Sequence, residues 1–138
     1  MGVFGALKVS GSALTAGRTR MDVIAENIAN VETTRTADGG PWRRREVVLR
    51  SEQVSDGPAG LRCSGVRVAA VQADDGPPLR VFNPGHPDAD AEGYVQMPNV
   101  DLPTEMADMV VAARAYEANA AALRSGREML QSALSILA

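Results

Sequence analysis

Large apolar residues recur every seven positions at both ends of the chain, as Leu7, Leu14, Met21 and Ile28 and again as Met109, Tyr116, Leu123, Leu130 and Leu137. That period predicts two long helices, one opening and one closing the chain, each with a narrow apolar seam of the coiled-coil kind. Beside the first ladder runs a second row of Ser10, Gly17, Ile24 and Val31, poor at its beginning and good at its end. Gly11 and Gly17 each cost the helix about 1 kcal/mol relative to Ala, so its first half is expected to be marginal without partners. The closing helix is introduced by Asn99-Val100-Asp101-Leu102-Pro103. Asp101 is a good N-cap there, and proline is tolerated in a first turn. Only Gly126 interrupts it afterwards, and the row beside its ladder reads Met106, Ala113, Ala120, Arg127 and Leu134.

Between the helices the pattern changes. Turn signals recur as Asp38-Gly39-Gly40-Pro41, Asp56-Gly57-Pro58, Asp74-Asp75-Gly76-Pro77-Pro78 and Asn83-Pro84-Gly85-His86-Pro87, each rich in residues that favour tight turns. Short β-like runs lie between them at 45–50, 65–72, 79–82 and 94–97. The expected fold class is α+β: a helical domain made from residues 1–30 and 100–138, and a small β-rich module at 31–99.

Composition narrows the function classes. A chain of 138 residues holds one domain, or a small domain with a helical stalk. Aromatic residues make up only 4%, which suits helix packing with small side chains better than a large core. A net charge of -3 lacks the dominant basic field of a nucleic-acid binder. Cys63 is alone and reads as a small, partly buried apolar residue. The N-terminus shows no apolar run with a cleavage site, and no stretch approaches the ~20 apolar residues of a membrane-spanning helix. No direct membrane insertion is expected.

Candidate chemistry is sparse. His86-Pro87-Asp88-Ala89-Asp90-Ala91-Glu92-Gly93 places acids at alternate positions before a glycine, as a calcium loop does. The twelfth position from Asp88 is Asn99 rather than Glu, and prolines occupy the place of an entering helix, so Asx-type turn bonds are the expected use of these carboxylates. Trp42-Arg43-Arg44-Arg45 has the look of a basic patch with one stacking aromatic, but Glu46 and Glu52 follow and no further aromatics interleave. Asp22 with Glu26, and Glu105 with Asp108, read as solvent-facing charges. His86 and Cys63 are far apart, no serine has a triad context, and no glycine run ends in Gly-Lys-Ser/Thr. No catalytic residue, cofactor or metal is expected, and the chain does not read as an enzyme.

The residues of both ends then resemble a family. Ser12-Ala13-Leu14-Thr15-Ala16 with Arg20-Met21-Asp22-Val23-Ile24-Ala25-Glu26-Asn27-Ile28-Ala29-Asn30 and Thr33-Thr34-Arg35 is similar to the N-terminal motif of bacterial flagellar axial proteins. Glu105-Met106-Ala107-Asp108-Met109 with Arg114-Ala115-Tyr116-Glu117-Ala118-Asn119 looks like their C-terminal motif. His86-Pro87-Asp88-Ala89-Asp90 and Gly93-Tyr94-Val95-Gln96-Met97-Pro98-Asn99-Val100-Asp101, in so short a chain, resemble the proximal-rod members of the flagella basal body rod protein family.

That resemblance implies a structural subunit of the bacterial flagellar basal-body rod, the shaft that carries motor torque across the periplasm. It implies export through the flagellar type III apparatus without a cleaved signal peptide, and partners in other copies of itself and other rod subunits. The expected packing residues are Leu7, Leu14, Met21, Ile24, Asn27, Ile28 and Asn30 on the first helix. On the second they are Met106, Met109, Tyr116, Asn119, Leu123 and Leu130. Asn27 and Asn30 are placed either to satisfy the last carbonyls of the first helix or to bond across a subunit boundary. The alternatives are another flagellar axial protein of the rod or hook, a non-flagellar coiled-coil adaptor, and a calcium-binding module.

Overall fold

The computed structural model describes residues 3–55 and 62–137. The element order is α1 Val3–Ala29, β1 Arg45–Ser55, β2 Arg62–Ala73, β3 Leu79–Phe82, β4 Tyr94–Met97 and α2 Leu102–Leu137. Two long helices bracket two antiparallel hairpins, as the α+β expectation has it. The turn expected at Asp56-Gly57-Pro58 and the side chain of Leu137 lie outside the described residues.

α1 and α2 pack against each other, and the β1–β2 hairpin lies along α1. α1 therefore has two covered sides, which is why half-buried positions outnumber exposed ones along it. Its exposed strip is mostly polar and includes Lys8, Thr15, Arg18, Asp22 and Glu26. The buried apolar residues on the helices are Ala16, Val23, Ile24 and Ala112, with Cys63 of β2 also buried and free.

β1 and β2 pair from Arg45↔Ala73 to Ser55↔Arg62, with a register shift between Val48 and Leu49. Val48 faces Ala70 and Leu49 faces Val68, so Ala69 is the extra residue of a bulge, which increases local twist. The outer edge of β2 is held to the helix by Ser12: the Val66 amide donates to Ser12 Oγ at 3.1 Å while that hydroxyl donates to the Val9 carbonyl at 2.7 Å.

Among the described residues the second hairpin, Leu79↔Met97 to Phe82↔Tyr94, has no close backbone approach to the other regular elements and is tied to the loop after α1. Thr34 Oγ1 donates to Asp88 Oδ2 at 2.7 Å, and Arg35 pairs with Asp88 Oδ1 at 2.8 Å. Its connecting turn closes on Asp90, whose Oδ1 accepts the amides of Glu92 (3.0 Å) and Tyr94 (2.8 Å). Gly93 sits there at φ +83, and a Cβ at that residue would come within 2.9 Å of the Phe82 ring. Only glycine meets both demands. The acidic run thus makes turn bonds. Among the described residues no group of three His, Cys, Asp or Glu is arranged to hold a metal.

One end of each long helix is set locally. The Asp101 carboxylate accepts the Thr104 amide at 3.2 Å, also bonds the Thr104 hydroxyl, and the Asp101 carbonyl accepts the Glu105 amide at 3.0 Å. That is the N-cap the sequence predicts. α1 stops where the Asn30 side chain turns back to the Glu26 carbonyl at 2.8 Å and accepts Thr33 Oγ1 at 3.1 Å.

Candidate subunit-packing interface

The antiparallel α1–α2 pair positions the ladder residues. Leu7, Leu14, Met21 and Ile28 on α1, and Met109, Tyr116, Leu123 and Leu130 on α2, are all half-buried. Ile24 is 6% exposed, whereas Asn119 is half-buried and Met106 stands 57% exposed. The row that α2 buries is therefore not the one beginning at Met106. It is Glu105, Ala112 and Gly126, with Asn119 partly covered, four residues ahead of each ladder position rather than three. A seven-residue period admits a flanking row on either side. This side carries small residues at Ala112 and Gly126, which allow close helix approach.

Two glycines read from sequence as weak points each face a large ladder residue, and Gly126 is a socket for one. A Cβ at residue 126 would lie 2.7 Å from Leu7 Cδ2, and one at residue 17 would lie 3.6 Å from Tyr116 Cδ2. At Gly126 the missing side chain makes room for Leu7, and the lost helix propensity is offset by closer packing; at Gly17 a Cβ would make an ordinary contact with Tyr116. Gly11 meets nothing within 4 Å, so there the cost stands uncompensated.

The two polar residues buried in the helical core form one cluster. Asn27 and Glu105 are each 1% exposed. Asn27 Nδ2 donates to Glu105 Oε2 at 3.2 Å and to the Arg45 carbonyl at 2.9 Å. Asn27 Oδ1 accepts the Arg45 amide at 2.9 Å and Trp42 Nε1 at 3.4 Å. Arg44 Nε donates to Glu105 Oε1 at 2.6 Å, and Arg44 also pairs with Glu46. All four hydrogen-bonding positions of the Asn27 amide and both Glu105 oxygens are satisfied, the condition for burying such groups. Burial works against the Arg44 charge, but its bonds to Glu105 and Glu46 outweigh that and raise its pKa above the ordinary value.

Two expectations change here. Glu105 is not a solvent-facing charge; a cation from the start of β1 meets it inside the molecule. Asn27 neither caps the helix nor reaches a boundary within this chain; it joins α1 to the start of β1 and to α2, and only Asn30 is the helix stop. Apart from Arg44 the basic run stays on the surface, with Arg43 and Arg45 both exposed. Beyond Arg44, Arg45 stacks 4.6 Å from the centre of the Trp42 ring and pairs with Glu26 at 3.2 Å, and Arg43 pairs with Asp75 at 3.7 Å. Trp42, Arg44 and Glu105 are the structural residues that periodicity alone misses. The available signal was a polar residue at a core heptad position, which commonly fixes register.

This arrangement offers a long helical pair with a partly covered seam and a polar lock joining that pair to the start of the β1–β2 hairpin. No described helix is long and apolar enough to cross a membrane.

Comparison with known proteins agrees with the two ends of the chain. A family model described as flagella basal body rod protein matches residues 7–35, which is most of α1 and its exit. A second, described as the C-terminal region of flagellar basal body rod FlgEFG proteins, matches residues 91–136, which is β4 and α2. The flagellar basal-body rod protein FlgC of Borreliella burgdorferi is 43% identical over 150 residues, covering 99% of each chain. FlgC of Bacillus subtilis is 43% identical over 151 residues, again 99% of each, and FlgC of Escherichia coli O157:H7 is 40% identical over 136 residues, 99% of this chain and 98% of that one. Matches of this strength over essentially whole chains, central hairpins included, place the chain in the FlgC family of flagellar basal-body rod proteins.

Proposed function

We propose that this structural rod subunit builds the proximal rod by packing its terminal helices, 1–30 and 100–138, against those of neighbouring subunits, with 31–99 as an outer module. The half-buried state of both ladders carries this reading. Leu7, Leu14, Met21, Ile28, Met109, Tyr116, Leu123 and Leu130 are covered enough to hold the α1–α2 pair and open enough to gain from further cover. Each fully buried large apolar side chain contributes about 1.5–3 kcal/mol, so completing the burial of eight ladder residues supplies a substantial driving force for assembly. Ile24 and the Asn27 cluster act inside the subunit, keeping helices and hairpins in one register. Met106, Asn119 and Asn30 lie where a neighbour can reach them.

Torque transmission in this view is a matter of rigid connection. A twist applied to the helical pair reaches the β1–β2 hairpin through Asn27, Glu105 and Arg44, and through Ser12 at the edge of β2. Partners are other copies and other rod subunits. Delivery to the basal body by the flagellar type III apparatus, without signal cleavage or membrane insertion, completes the proposal.

The test is complementation of a motile strain that lacks its own subunit of this family. Leu14→Asp and Leu123→Asp are expected to abolish swimming while expression stays normal. Normal swimming with either variant would contradict the packing role.

A further inference from the structure

Three contacts between α1 and α2 fix how far each helix runs past the other. Leu7 meets Gly126, Gly17 meets Tyr116, and Asn27 meets Glu105, so Val3, where α1 opens, falls opposite residue 130. α2 continues to Leu137, about 10 Å farther, with no described residue of α1 beside it. Residues 129–137 carry no charge, and Leu134 and Ile136 are 66% and 84% exposed. The last turn holds no basic residue, so nothing in that turn balances the partial negative charge of the helix end.

A complementary surface lies at the other end of the helix pair. α1, β1 and the start of α2 enclose an open groove of about 370 Å³. Val23 and Ile24 form its floor and Val47 and Leu49 one wall, and Leu49 is still 44% exposed. Its carboxylates are already matched: Glu46 and Glu105 bond Arg44, and Asp108 faces Arg20 at 3.9 Å. Arg20, whose ion pair is that long one, and the exposed Arg45 also line the groove and give it positive charge.

We propose, on the reading that terminal helices build the rod, that this groove receives the C-terminal helix tip of a neighbouring rod subunit. Apolar side chains of the tip pack on Val47 and Leu49, and its end carbonyls accept from Arg20. Asp108 and Leu134 are about 40 Å apart along α2, so one subunit cannot fill its own groove. Insertion of one subunit's tip into another's base is a heterologous contact, which leaves both ends open and extends a shaft. The occupant is a related subunit rather than a second copy, because a tip that fitted its own kind would string free subunits together before assembly. Such a tip is not peculiar to this chain. Its α2 is similar to the C-terminal region of FlgEFG proteins through residue 136, next to the end of the helix.

The experiment places a photo-cross-linking amino acid at Leu49 of the full chain, in cells that depend on it for swimming, and maps the adducts of isolated, irradiated rods by mass spectrometry. Adducts on the last two turns of another rod protein's C-terminal helix are expected. The same probe at Val48, on the other face of β1, should give none of them. Adducts from Leu49 confined to other segments, adducts to a second copy alone, or no adduct would overturn the proposal. Leu49→Glu alters a side chain already half open to water, so the free chain should keep its circular dichroism. The yield of rods should fall about tenfold, the effect of losing one buried leucine. Full rod yield with Leu49→Glu, while Leu14→Asp still abolishes swimming, would overturn this contact and leave the helix packing standing. The free wild-type chain should sediment as a monomer. Open-ended self-association that Leu49→Glu removes would give the groove to a second copy and overturn the assigned occupant.

Discussion

Asn27→Ala is the substitution that most sharply probes the polar lock. The wild-type amide makes four hydrogen bonds, two donated and two accepted, at 2.9 to 3.4 Å. Each is worth about 1 kcal/mol net, and more where its partner is left buried and unpaired. Alanine returns about 0.5 kcal/mol of helix propensity, so the expected loss is about 3–4 kcal/mol. Against a total stability of about 5–15 kcal/mol, that is a large fraction. Urea unfolding followed by circular dichroism reads it directly: with an m value of about 2 kcal/mol/M, the midpoint should fall by about 1.5–2 M. Asn27→Asp sharpens the test, because it keeps the side chain's size but sets a second carboxylate against Glu105. One carboxyl of that pair acquires a raised pKa in the folded state. The sign follows from linkage: the variant's loss relative to wild type is greatest at pH 7 and shrinks as pH falls through that raised value. A midpoint shift below about 0.5 M for Asn27→Ala, or an Asn27→Asp penalty that does not change with pH, would refute the lock.

Further outcomes follow from the socket and the turns. Gly126→Val should destabilise by about 1–3 kcal/mol in the same assay through overpacking against Leu7, whereas Gly126→Ala needs only a small shift of the Leu7 tip and should come close to neutral. Gly93→Ala should cost about 2 kcal/mol, from the left-handed backbone and the approach to Phe82. The Asp90 carboxyl is held below its ordinary value of 3.8, chiefly by the Tyr94 amide, with the Glu92 amide and Arg80 adding to it. Its contribution is therefore present above pH 3.8 and is lost as pH falls through the depressed folded value. The Glu92 and Tyr94 amide resonances should move in that acid window in the wild type and not in Asp90→Asn.

Much of this architecture is legible in the chain's own pattern. The seven-residue ladders mark both helices, Asp101 marks the start of α2, and four short runs mark the four strands. These signals are local, resting on periodicity and turn chemistry within a few residues. What the sequence hides depends on register between distant segments. Asn27 and Glu105 are separated by 78 positions, and nothing near either one says that they share a buried site. Gly17 and Gly126 look like helix-weakening defects until the helices are aligned, when each faces a large side chain. The choice between the Met106 row and the Glu105 row is likewise settled across the helix pair, where Arg44 waits for a carboxylate and Met106 has no socket.

The central claim is that the terminal helices are completed by assembly, and amide hydrogen exchange of the free subunit and of isolated rods tests it most directly. Protection in α1 and α2 is predicted to rise strongly on assembly while the paired residues of β1 to β4 change little. Equal protection of both helices in the two states would contradict the account.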